Sequence, residues 1–406
     1  MRRVLAALVT AGFVSGLSAQ VATGDSLRQD WPNWRGPNHD GISPEKGFET
    51  KWNSPPLRLW SQDIGSAFSG LSCVADRVYT CGTADKQQML FCLAANTGSV
   101  LWKTPIEEEY RERQGGDGTR TTPTVDDGRV YILGALGRLL CVDAETGIEI
   151  WSRQLDGKPQ WGYAGSVLVE GDRAIVPAGG KDGSLLALDK KSGRTLWQCG
   201  DAPVGYATPY PFTFDGRRCV VGFLAKRAIV ADVQSGQEVW STDWKTDWDV
   251  NAASPIFHDG CLFLSSGYST GSAVFKLARD GDRLKADQAW GVNKIVLGKF
   301  QSAVLHEGYL YVSDEKALKC VEFMTGREKW SERGISNGTV VLADGHLIVL
   351  TEDGELQIAR ASPEKYEPTT KAKVLDGRCW TVPTRYQGRL YVRNFKQAAC
   401  YKLTRG

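Results

Sequence analysis

Two cations, Arg120 and Lys299, are placed to hold an anion. Guanidinium and ammonium groups bind carboxylates through charge-assisted hydrogen bonds, roughly twice as strong as neutral ones. Tyr163, Tyr206 and Trp380 add aromatic surface, and Asn251 and Asn337 add amides that both donate and accept. Such a set suits recognition of a polar or anionic organic group. Groups for bond breaking are sparse. Of the four histidines, His258, His306 and His346 sit at or beside Asp-Gly or Glu-Gly turns and read as exposed rim residues, while His39 precedes all repeats. The ten cysteines contain no Cys-x-x-Cys spacing and no adjacent pair. With no Gly-x-Ser-x-Gly elbow, phosphate loop or EF-hand loop, no metal centre and no activated nucleophile is expected.

Residues scattered from 120 to 380 can meet only if a repeat brings them together. The segment Asp143-Ala-Glu-Thr-Gly147-Ile-Glu-Ile-Trp151 superposes without gaps on 189–197, 232–240 and 322–330, and on 94–102 except at its first residue. The period is about 45 residues, with one degenerate unit near Asp280-Gly281 filling the double gap. Each unit also carries an earlier hairpin, as in 125–132, 257–264, 305–312 and 342–349, where Asp-Gly or Glu-Gly separates two β-forming runs. Two further strands, the last ending in tryptophan, complete a four-stranded propeller blade.

First strands starting near Ser69, Thr121, Ala164, Ala207, Ala252, Gln301, Gly338 and Thr381 predict an all-β, eight-bladed β-propeller of antiparallel blades. The eighth unit stops after its third strand. A lone strand at 57–62, carrying Trp60, is expected to supply the missing outer strand and close the ring. Trp102, Trp151, Trp197, Trp240 and Trp330 share one repeat position, as packing residues between blades would. Cys92, Cys141, Cys320 and Cys400 share a third-strand position filled elsewhere by Ala187 and Val230, so they read as small buried residues. Cys81 and Cys92 flank one hairpin symmetrically, which leaves a disulfide between them open.

The innermost strands crowd together at a channel mouth, so residues leading into them become neighbours. Reading those positions gives Phe68, Arg120, Tyr163, Tyr206, Asn251, Lys299, Phe300, Asn337 and Trp380. Arg120, Tyr163, Tyr206, Asn251, Lys299, Asn337 and Trp380 are the expected binding set, locally positive unless Asp117 or Asp249 neutralises the cations. Trp161, Trp244 and Trp248 fall outside the repeated tryptophan position, and 107–120 is a charged insertion.

Residues 1–19 begin Met-Arg-Arg, continue apolar and end in Ser18-Ala19, the pattern of a signal peptide cleaved near Ala19. The run is short and glycine-interrupted, which disfavours a membrane span. Residues 20–56 form an N-terminal extension and 57–406 the propeller. Without Arg2 and Arg3 the basic residues balance the 47 acidic ones, giving no bulk electrostatic footprint for nucleic acid.

The Asp-x-x-Thr/Ser-Gly-x-x-x-Trp segments, with Gly180-Lys-Asp-Gly-Ser-Leu-Leu-Ala-Leu-Asp189 and Trp31-Pro-Asn-Trp-Arg-Gly-Pro-Asn-His-Asp-Gly41, make 31–406 resemble the PQQ-like (quinoprotein-like), BamB-like propeller proteins. The resemblance implies the fold, and two kinds of work. One is binding or scaffolding of a small polar ligand or protein partner by an exported, periplasmic or extracellular monomer. The other is PQQ-dependent alcohol or sugar oxidation, in which the quinone lies between a tryptophan and a disulfide of adjacent cysteines above calcium. This sequence lacks that cysteine pair, so binding is the leading expectation and a quinone-dependent dehydrogenase the alternative.

Overall fold

The computed structural model describes residues 30–403, so the expected leader lies outside the described residues. Eight four-stranded antiparallel blades form a ring. Blade 1 covers 72–108, blade 2 124–154, blade 3 168–199, blade 4 210–243, blade 5 256–293, blade 6 304–333 and blade 7 339–373. Blade 8 combines Thr384–Tyr386, Arg389–Arg393 and Gln397–Lys402 with an outer strand from the other end of the chain, Arg58–Asp63. Trp60 faces Cys400 in that pairing, so the N-terminal strand closes the ring as the repeat demands. No helix among the described residues is long and apolar enough to cross a membrane.

The joints between blades explain the repeated residues. Trp151 lays its indole on Gly193 of the next blade and donates to the Lys190 carbonyl at 3.1 Å, and Tyr131 donates to that same carbonyl at 3.0 Å. Trp60, Trp102, Trp197 and Trp330 make the same indole-to-carbonyl bond onto their neighbours. Gly98 shows why the turn needs glycine: its φ is +71°, and a Cβ there would sit 2.5 Å from the Trp60 ring. In the degenerate unit the joint belongs to Trp290, which donates to Phe323 at 2.9 Å. A long hairpin, Gly271–Asp280 and Arg283–Asn293, displaces Trp290 from the expected spacing.

All ten cysteines are buried and free. Cys92 lies opposite Tyr79 on one side and Trp102 on the other, whereas Cys81 lies opposite Leu90, so the symmetric flanking does not bring the two thiols together as a pair. Cys141, Cys320 and Cys400 likewise sit between a tyrosine and a tryptophan. A small apolar residue there lets rings on both flanking strands approach to about 6 Å, as Tyr131 and Trp151 do at 6.0 Å.

Most innermost strands begin three or four residues later than their aligned starts. The lead-in residues use hydroxyls to bond the preceding blade's lead-in rather than their own sheet. Thr122 Oγ1 accepts from Gly70 N, Ser166 Oγ from Thr122 N, and Thr208 Oγ1 from Ser166 N, at 2.8–3.0 Å. This belt consumes the amides of Gly70, Thr122 and Ser166.

The extension is no loose tail. Trp31 bridges to Cys73 in blade 1, Ile42–Ser43 adds a parallel strand to the innermost strand of blade 7, and Glu49 N donates to Leu403 O beneath blade 8. Between them Trp34 donates to Ser254 Oγ at 2.9 Å, and the buried Arg35 guanidinium donates to the carbonyls of Asp40 and Ala303. Residues 31–49 therefore cross the ring and close one end of the channel.

Candidate functional site

The other end is a cup of about 400 Å³. Its lining includes Arg120, Tyr206, Lys299 and Trp380, joined by Phe68 and Phe300 from the same lead-in positions. The remaining rings are Trp34, Trp161, Trp248 and Tyr268. Trp34 belongs to the strap that closes the opposite mouth, so the extension contributes to the cup as well.

Three of the expected residues take no part in the lining. Tyr163 is 1% exposed; its ring packs among Leu139, Val176 and Leu186, and its hydroxyl donates to Ala178 O at 2.7 Å. Gly157 makes that slot possible, since a Cβ there would lie 2.5 Å from the Tyr163 hydroxyl. Asn251 is fully buried, donating to Leu224 O and accepting from Ser266 Oγ. Asn337 adopts a left-handed φ of +52°, a conformation asparagine tolerates, and its carbonyl accepts from Gln301. The shared repeat position is real, but the side chain can turn into the wall as readily as into the channel.

One wall is a ladder of rings. Phe68 stacks on Trp380 at 5.3 Å with 27° between planes, and Phe300 meets Trp380 at 4.7 Å and 49°. The Trp380 indole donates to Glu352 at 2.8 Å, and Arg378 lies 4.3 Å over the same ring. Facing the cup from the segments that link blades 2 to 5 are Tyr206, Trp161 and Trp248, inclined at 54° and 76°. Trp248 is 55% exposed. Burial pushes the Tyr206 phenol up to about 12, so it stays neutral.

The two cations differ. Arg120 is largely enclosed: it donates to the carbonyls of Gly116 and Gly118, lies 4.9 Å over Tyr110, and has Glu112 at 3.8 Å. Burial lowers its pKa, opposed by Tyr110 and Glu112. Asp117 instead accepts from the Glu112 amide, and Asp249 pairs with Lys226. Lys299 lies against rings, its ammonium 5.1 Å from the centroid of Tyr268 and 5.8 Å from that of Phe300. No carboxylate pairs with it among the described residues. Glu315, in the same corner, is engaged by the Tyr268 amide at 3.2 Å.

The off-register tryptophans signalled part of this cup in the sequence, although Trp244 is buried against blade 5, donating to Ser266. Gln114 lies in the charged insertion 107–120, but Trp34 and Tyr268 carried no such signal. Tyr268 is held at a positive φ of 55° in a turn between strands, where nothing in its residue type marks it as cup-facing.

The chain matches the family model described as outer membrane protein assembly factor BamB over residues 56–198 and 86–332. It is 24% identical over 353 residues to the outer membrane protein assembly factor BamB of Burkholderia pseudomallei (strain K96243), covering 73% of this chain and 86% of that one. Among solved structures, BamB from Moraxella catarrhalis superposes with a TM-score of 0.61 at 17% identity, covering 87% of this chain and 99% of that one. A europium-containing methanol dehydrogenase superposes at 0.69 with 13% identity, over 90% and 89%. These structural likenesses show a common fold. The residues here do not fit calcium-bound PQQ. Calcium takes six to eight oxygen ligands from carboxylates, carbonyls and water, and among the described residues no carboxylate lines the cup.

Proposed function

We propose that this chain, which belongs to the outer membrane protein assembly factor BamB family, is an exported binding scaffold whose open mouth captures the anionic group of a polar ligand or protein partner. The Met-Arg-Arg leader pattern supports export to the periplasm or beyond, with 20–56 as extension and 57–406 as propeller. Relatives named for assembly of outer membrane proteins fit a scaffold. The observation that carries the reading is Lys299: a cation with no carboxylate partner among the described residues, set among rings at the channel mouth the strap leaves open. An anion there gains a charge-assisted bond at little cost in displaced partners.

Calorimetric titration with 2-naphthoate and its neutral isostere 2-naphthamide tests this. The anion is expected to bind at least fivefold more tightly, and Lys299→Ala to erase the difference. Equal binding of both, or an anion preference that survives the substitution, would refute the site.

A further inference from the structure

We infer that the ligand class of the mouth is an acidic saccharide, a chain of sugar rings carrying carboxylates. This deepens the proposed function and rests on it. The lining rings do not form a slot for a flat molecule. The single near-parallel pair, Phe68 and Trp380, is already in contact with itself, while Phe300–Trp380, Trp161–Tyr206 and Trp161–Trp248 incline at 49°, 54° and 76°. The result is a faceted bowl, each facet one ring wide. A chair-shaped sugar offers one C–H face to such a facet and keeps its hydroxyls at the edge.

The edges are polar in the right places. Gln114, which accepts from the Trp161 indole at 3.2 Å, remains exposed, and Ser166, Thr208 and Thr381 line the depth of the cup. The volume of about 400 Å³ lies within the roughly 300–1,000 Å³ of small-molecule sites. The half-exposed Trp248 ring is an apolar plane left in water, which a sugar can cover without losing its own hydration. Lys299 supplies the counter-charge for a uronate carboxylate, with Arg120 and Arg378 on the same rim.

An extended peptide is the weaker fit. Strand recognition needs a row of free backbone donors and acceptors, and the hydroxyl belt running through Thr122, Ser166 and Thr208 has already taken the amides of Gly70, Thr122 and Ser166.

The test is calorimetry on the full mature chain with trigalacturonate, its methyl ester and 2-naphthoate. Trigalacturonate is expected to bind at least tenfold more tightly than either. Trp248→Ala should weaken it at least fivefold while leaving thermal unfolding unchanged, and Lys299→Ala should reduce it to the level of the ester. If 2-naphthoate binds through Lys299 and trigalacturonate does not, the saccharide assignment falls and the mouth reading stands. If neither binds, both fall. Binding of trigalacturonate that ignores both substitutions overturns the assignment.

Discussion

The two mouths of the propeller use the same kinds of residue to opposite ends. At the closed mouth, the strap arginine Arg35 donates hydrogen bonds to the chain's own carbonyls. There Arg385 of blade 8 sits 3.3 Å from Glu45 and 4.6 Å over the Phe48 ring, both partners below 10% exposure. At the open mouth, Lys299 has rings around it and, among the described residues, no carboxylate paired with it. A cation under an aromatic ring is thus uninformative by itself. What separates structure from recognition is whether a counter-charge is already built in.

That contrast can be broken at several points. Deleting residues 20–63 removes both the strap and the outer strand of blade 8, exposing a sheet edge and opening the ring. Cooperative unfolding is expected to be lost, or the melting temperature to fall by more than about 10 °C, by differential scanning calorimetry. An unchanged transition would mean that closure contributes nothing.

Arg385→Leu leaves Glu45 buried without its partner, which costs about 3–5 kcal/mol in comparable sites. Urea titration should show that loss, and Glu45→Gln added to it should restore part.

His39 offers a pH handle on the closed mouth. Burial pushes its imidazole down to about 4, so the folded state stays neutral where the unfolded state, near 6.5, takes up a proton. The unfolded chain binds more protons between those values, and stability must fall as pH drops from 6.5 to 4, by on the order of 2 kcal/mol. His39→Gln should flatten that slope in urea titrations at a series of pH values.

The smallest structural effect belongs to the open mouth. Lys299→Ala should change unfolding free energy by less than about 1 kcal/mol, because its charge meets only two ring faces and no carboxylate pairs with it among the described residues. A larger loss would show that the lysine is structural.

Blade number, ring closure and the tryptophan joints were legible because each rests on a residue repeated in register: Gly98 and Gly193 accept indoles, and Trp60 stands where the eighth blade lacks an outer strand. The cup was half legible. Arg120, Tyr206, Lys299 and Trp380 follow from the ring's geometry, but Tyr163 and Asn251 do not, because repeat register fixes where a Cα lies and not which way its side chain turns. The small residue that admits Tyr163 into the wall, Gly157, lies in a loop outside the repeat. Trp34 was invisible for another reason: its position depends on a strap crossing the whole ring, anchored by pairings as distant as Trp31 with Cys73 and Ile42 with Leu342.

The claim that the open mouth is the recognition site is tested most directly by hydrogen exchange of the mature chain with and without saturating trigalacturonate or, where that fails to bind, 2-naphthoate. Protection is predicted in 114–120, 161–166, 299–301 and 380–381, with the strap at 31–49 and the outer strands unchanged. Protection confined to the outer strands or to the closed mouth would contradict it.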